Sequence, residues 1–379
     1  MHIRTRVPAV ISILVATLFV LVSNASAQDK KPAKVDKAQQ AEIAAAVKMM
    51  DDLSGGQAAP TDFSFTWVNH AMKSRDNKMY VPFILTFEKG KPLPQNATYY
   101  LRVVDRGALA ESMKKVAEHK AAVEKAANLA KLDPENNELA AAEAKLRAEA
   151  PKLEYAFEDV RTGQNFAAPP AGAAFRFAAA LAVPAGDYDV YVLFKEPTKD
   201  RKNQPKAGLL KVPVTVPNLW TDELATSTIF VTNQTEQLKA PPTLDDLNRF
   251  PYIFGMMRIV PALEAVPKFP KSSEVSIVFY IYNTGSDKTT GKPNLTVDYN
   301  FYHKVDGAEK FFNRTEPQQL NDKTLGPTFD LKAGHQLLGG MGIGLAPFPE
   351  GEYRLEIKIT DKATGKVKVE NSQFAVVAG

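Results

Sequence analysis

Val183-Pro184-Ala185-Gly186-Asp187-Tyr188-Asp189-Val190-Tyr191-Val192 and Phe348-Pro349-Glu350-Gly351-Glu352-Tyr353-Arg354-Leu355-Glu356-Ile357 follow one pattern: apolar, Pro, any residue, Gly, acid, Tyr, then alternating apolar positions. The pattern describes a turn feeding a strand. Pro184 and Pro349 preset φ at the second turn position, and Gly186 and Gly351 supply a positive φ at the fourth. Tyr188 and Tyr353 each open an alternating strand, the ring directed to a core and the hydroxyl placed to tie down the turn. These six residues form a structural turn motif.

The halves match upstream as well. Residues 80–107 read as strand, polar loop and strand, ending Val103-Val104-Asp105-Arg106-Gly107; residues 275–307 read the same way, ending Lys304-Val305-Asp306-Gly307. From Gly107 to Tyr188 is 81 residues and from Gly307 to Tyr353 is 46, so the first half carries a surplus of 35. It falls where the chain turns rich in Ala, Glu and Lys. Two matches in one order with one localised surplus predict a duplicated fold with an insertion. The Tyr-bearing turn resembles the tyrosine corner of immunoglobulin-like sandwiches. The expected fold is mainly β: two tandem immunoglobulin-like β-sandwich domains at 61–217 and 218–379, the first with an inserted antiparallel α-helical hairpin at 108–153.

Within that insertion, Asp133-Pro134-Glu135-Asn136-Asn137 marks a tight turn between two helices. Leu109, Met113, Val116 and Val123 are the expected seam of the first helix, and Leu139, Leu146 and Leu153 that of the second. Strands are expected at Tyr80–Phe87, Ala97–Val104, Phe175–Val183, Tyr188–Phe194 and Leu209–Val216. Pro217-Asn218-Leu219-Trp220 is the expected boundary. Beyond it, strands are expected at Thr226–Thr232, Tyr252–Val260, Val275–Tyr282, Leu295–His303, Gln336–Leu345, Tyr353–Thr360 and Val367–Val377. Segment 28–60 reads as polar chain, a short N-terminal helix near Val35–Leu53 with Ile43, Val47 and Met50 on one face, and a linker.

The N-terminus reads as an export signal over residues 1–27. Arg4 and Arg6 precede an apolar run from Val7 to Val22, and Ala25-Ser26-Ala27 places small residues where a signal peptidase reads, giving cleavage after Ala27. The run is shorter than the roughly 20 residues that span a bilayer, and no later run is longer, so no transmembrane segment is expected in the mature chain. With the leader gone, the 47 basic residues fall to 45 against 43 acidic ones, and the net charge drops from +4 to +2. That is no footprint for nucleic acid. There is no Cys, so neither lipidation at a cysteine nor a disulfide framework is available. The expected location is periplasmic or secreted.

The second half resembles the C-terminal sandwich domain of exported acidobacterial proteins that carry von Willebrand A-type or GWxTD-motif regions. Pro251-Tyr252-Ile253-Phe254-Gly255, Ile259-Val260-Pro261, Val278-Phe279-Tyr280-Ile281-Tyr282-Asn283, Phe348 to Ile357 and Thr360-Asp361-Lys362-Ala363-Thr364-Gly365 carry the likeness. It covers the second half only and implies an accessory or surface protein without an active site. No GWxTD string or metal-dependent adhesion motif is present.

No chemistry rises from the remaining residues. His70, His119, His303 and His335 show no metal-ligand spacing. Gly339-Gly340-Met341-Gly342-Ile343-Gly344 runs into a strand without the Lys-Ser/Thr of a phosphate loop, so bulges or close strand packing explain it better. Asp51-Asp52 and Asp245-Asp246 are acidic pairs without cleft geometry. Asp361 to Gly365 reads as a hairpin turn. Tyr280, Tyr282, Tyr299, Phe301, Phe311 and Phe312 are either a sugar-stacking platform or, as alternation favours, core. No catalytic residue, metal ligand or cofactor is expected. The leading expectation is a non-catalytic exported cell-envelope protein acting through protein–protein contacts with an envelope or extracellular partner. A carbohydrate-binding module with a glycan partner is the alternative, and a hydrolase with a dispersed site the second.

Overall fold

The computed structural model describes residues 37–379 apart from 55–56, 92, 150–154, 167–168, 170–172 and 199–203. The leader, the start of segment 28–60 and Leu153 lie outside the described residues. The protein is mainly β, 43% strand and 19% helix, in several antiparallel sheets.

The first half runs α1 (Lys37–Ser54), β1 (Phe65–Asn69), β2 (Met72–Lys73), β3 (Met79–Phe87), β4 (Ala97–Asp105), α2 (Arg106–Leu132), α3 (Asn137–Ala148), β5 (Phe157–Gln164), β6 (Arg176–Val183), β7 (Gly186–Lys195) and β8 (Ala207–Val216). One sheet centres on β3, paired with β1, β2 and β6; the other runs β5-β4-β7-β8. Because side chains alternate along a strand, Val81, Phe83, Leu85 and Phe87 of β3 share one face. They pack against Tyr99, Leu101 and Val103 of β4 and Tyr188, Val190, Val192 and Phe194 of β7. Each fully buried side chain contributes about 1.5–3 kcal/mol, so this sandwich-like core holds the half together.

The second half runs β9 (Ala225–Thr226), β10 (Phe230–Thr232), β11 (Thr235–Gln237), α4 (Leu244–Arg249), β12 (Ile253–Phe254), β13 (Met257–Ile259), β14 (Lys268–Pro270), β15 (Glu274–Tyr282), β16 (Leu295–Val305), β17 (Ala308–Arg314), β18 (Gln318–Leu320), β19 (Leu337–Gly344), β20 (Gly351–Asp361) and β21 (Val367–Val377). Its pairings repeat those of the first half. β10-β15-β19 corresponds to β1-β3-β6, and β17-β16-β20-β21 to β5-β4-β7-β8, antiparallel throughout. The core again joins odd residues of β15 and β16 to Tyr353, Leu355, Ile357 and Ile359 of β20.

One connection differs. β16 and β17 are joined by Asp306 (φ 52°) and Gly307 (φ 78°), a two-residue turn with both φ positive, as hairpins of primed type require. Between β4 and β5 the same position holds α2 and α3. The chain leaves and returns at one point: Val103 pairs with Phe157, and the Ala156 N–H donates to the Val103 carbonyl at 2.9 Å.

The two halves share a third core. Met72 and Ile84 of the first pack with Phe230, Tyr252, Phe254, Ile259 and Val278 of the second. Tyr282 of β15 joins the core of the first half, and its hydroxyl accepts from the Lys73 N–H at 3.2 Å. Lys73 Nζ lies 4.0 Å from the Trp220 ring centroid and bonds Asn283 Oδ1 at 2.7 Å. His70 Nδ1 lies 2.9 Å from the Tyr252 hydroxyl, beside Phe230. Burial pushes the His70 pKa down from 6.5 to about 4. The unfolded chain therefore binds the His70 proton first as pH falls. Stability from neutral His70 is complete above pH 6.5 and drains as pH drops toward 4, with a full cost of roughly 3 kcal/mol. Urea titrations at pH 7 and pH 4.5 are expected to show this loss in the native chain and much less of it in His70→Gln. Equal losses would remove His70 from the acid response.

Several expectations are corrected. Tyr252–Val260 is not one strand but the hairpin β12–β13, because Gly255 (φ 60°) turns the chain. Thr226–Thr232 is broken into β9 and β10, with Ser227 N–H bonded to the Tyr280 carbonyl between them. β5, with four charged or amide side chains among eight residues, is a strand the alternation did not reveal. α4 was not foreseen either: Asp246 closes a capping box with Thr243, so one member of the acidic pair is a helix cap.

Candidate interaction surface

Both predicted turns close the same way. The Tyr188 hydroxyl donates to the Pro184 carbonyl at 2.9 Å and the Tyr353 hydroxyl to the Pro349 carbonyl at 2.7 Å. Gly186 and Gly351 have φ of 159° and 137°; a Cβ on Gly351 would stand 2.5 Å from His303 Nε2. Burial pushes the Tyr353 hydroxyl up to about 12. These residues are anchors of the two cores.

The structure separates the other chemistry-bearing residues. His303 stacks on Tyr353 at 4.5 Å, and His335 Nδ1 accepts from the Asp330 N–H at 2.9 Å. No group of three metal-ligating side chains occurs among the described residues. Tyr282, Tyr299 and Phe301 are buried, whereas Phe311 is 59% exposed, so these aromatics form no common platform. In the Gly339–Gly344 stretch, β15 and β19 keep regular register; a Cβ on Gly339 would meet Phe279 and one on Gly340 the Ile277 carbonyl. Close strand packing requires these glycines.

What remains prominent is the helical arm, α2 and α3. Asp105 caps α2, its carboxylate accepting from the Gly107 and Ala108 N–H groups at 2.8 and 2.9 Å. Asn136 caps α3 in the same way. With 27 residues, α2 extends about 40 Å. No residue of either helix is buried. Val116, His119, Val123, Ala126, Ala127 and Ala130 of α2 and Leu139 and Leu146 of α3 are half-buried, which marks the seam. Met113, expected there, is 58% exposed; at about 100° per residue, Ser112 and Val116 fall on the seam and Met113 beside it. Leu109 packs on the body instead. Leu129 and Leu132 are 44% and 82% exposed near the tip.

The root of the arm is braced. Arg106 Nε and Lys211 Nζ both lie 2.8 Å from Asp189 carboxylate oxygens. Burial works to raise the Asp189 pKa, but the hydrogen bonds from Lys211 and Arg106 hold it below the usual carboxylate range. Beside this, α1 lies on the outer face of the β5-β4-β7-β8 sheet, with Ala46 and Met50 buried against Tyr100, Tyr191 and Leu193. Met50 was expected on that face; Ala46 was not. The helix also brings acid to two cations buried in the sheet: Asp51 pairs with Arg102 at 2.6 Å and Glu42 with Lys195 at 2.6 Å. Arg102 further pairs with Glu158 at 3.1 Å and lies 4.0 Å from the Tyr155 ring centroid. Tyr155 stands where the chain returns from the arm.

Breaking a sealed ion pair costs about 3–5 kcal/mol. Glu42 is partly exposed, and Lys195 keeps the Glu196 carbonyl and the Thr198 hydroxyl, so Glu42→Ala is expected to cost roughly 1–3 kcal/mol by urea unfolding. Lys195→Met added to it is expected to recover part of the loss. A silent Glu42→Ala would contradict the pairing.

No family model and no curated protein matches the chain. Among solved structures it is similar to one described as "pT26-6p", at 9% identity, with 91% of this chain and 70% of that chain covered and a TM-score of 0.15. So low a score carries no argument. No helix among the described residues is long and apolar enough to cross a membrane.

Proposed function

We propose that the protein is a non-catalytic accessory protein exported to the periplasm or beyond, working through protein–protein contacts made by the α2–α3 arm. The carrying observation is that no residue of the arm is buried, while the strands flanking it pair without it. A segment that touches a core only at its root, through Leu109, acts outward. The strand-for-strand correspondence supports reading the halves as duplicated immunoglobulin-like sandwiches, with the arm inserted where the second half has the Asp306-Gly307 turn. The export signal at residues 1–27 is the ground for placement outside the cytoplasm.

Capture from envelope extracts by the tagged intact chain and by a chain lacking the arm tests the proposal. The expected result is at least one protein held by the intact chain and lost from the other. Identical captured sets would sink it.

A further inference from the structure

We propose that the arm pairs with the arm of a second copy of this chain, antiparallel along the outer face of α2; this rests on reading the arm as a contact surface. That face lies opposite the seam. It comprises Ala110, Lys114, Ala117, Glu118, Ala121, Lys125, Asn128 and Leu132, every one exposed. The occupant follows from the order of charges. About a two-fold axis between Ala121 and Ala122, Glu118 of one helix stands opposite Lys125 of the other. The symmetry makes each contact twice, as an isologous interface does. Glu111, near the root, stands level with the end of the other helix at Leu132.

A parallel pairing inverts this. Glu118 would face Glu118 and Lys125 would face Lys125, so charge alone selects the antiparallel arrangement. The ions are available for it: Lys125 forms no ion pair among the described residues, and Glu118 has only its exposed neighbour Lys114 at 3.9 Å. Ala121 and Ala122 at the axis let the helices approach closely.

Sedimentation equilibrium of the full mature chain tests the pairing. The expected result is a reversible monomer–dimer equilibrium at about 10–100 µM that weakens with added NaCl, as exposed ion pairs do. Glu118→Lys is expected to weaken dimerisation roughly tenfold, since two attractions become repulsions. The double exchange Glu118→Lys with Lys125→Glu is expected to restore it. Both positions are exposed, so circular dichroism is expected to show unchanged folding. A wild-type chain that stays monomeric at these concentrations, or a dimer indifferent to Glu118→Lys, would overturn the pairing. A monomer that still captures an envelope protein through its arm would leave the contact reading intact, whereas unchanged capture without the arm would remove that reading and not a measured dimer.

Discussion

Gly340→Val is expected to lower stability by about 3–5 kcal/mol. Two causes add. Gly340 holds φ at 148°, where an L side chain is strained, and its Cβ would stand 2.1 Å from the Ile277 carbonyl oxygen on the neighbouring strand. Overpacking costs about 1–3 kcal/mol and backbone strain a similar amount. The carbonyl belongs to the β15–β19 ladder, so it yields only by breaking the pairing that seals the core. Gly344→Ala is the control. That glycine lies four residues along the same strand, with nothing within 4 Å of an added Cβ, and the change is expected to move stability by less than about 0.5 kcal/mol. Urea unfolding of the two variants checks the contrast, and equal effects would contradict the packing account.

Tyr353→Ala is expected to cost about 3–5 kcal/mol, because it empties the centre of an aromatic cluster. The ring stacks on Phe374 at 5.3 Å and on His303 at 4.5 Å, and meets Phe348 edge-on at 5.3 Å. Tyr353→Phe keeps that packing and removes only the bond to the Pro349 carbonyl, for an expected loss near 1 kcal/mol. The difference between the two variants separates ring from hydroxyl. Tyr188→Phe is expected to repeat the small loss in the first half, since its bond to Pro184 is the same. A Tyr353→Phe variant as damaged as Tyr353→Ala would show that the hydroxyl, not the ring, organises the turn.

How much of this could be read in the sequence depended on how strongly each residue constrains its neighbours. The paired turns were legible because Pro, Gly and Tyr each impose a distinct local requirement, and the Ala-, Glu- and Lys-rich stretch is helical, forming α2 and α3 between β4 and β5. The hairpin β12–β13 was hidden because one Gly sits inside an apolar run that alternation alone reads as continuous. β5 was missed because it lies at a sheet edge, where Glu158 is answered by Arg102 of β4 and Arg161 by Asp159 of its own strand. The pairs Glu42–Lys195 and Asp51–Arg102 join residues 153 and 51 positions apart. No local pattern announces such a pair. Met113 was misplaced by one position around the helix, a small angular error that moves a side chain from seam to solvent.

If the arm works outward, as proposed, the β body folds without it. Continuing the β4–β5 register sets Asp105 opposite Tyr155, so residues 106–154 can be replaced by a two-residue Asp-Gly turn like that of the second half. Thermal unfolding of this chain is the most direct measurement. One cooperative transition is expected within a few degrees of the intact protein, with only helical signal lost. A transition lowered by more than about 10 °C, or no cooperative transition at all, would show that the arm belongs to the core and contradict the proposal.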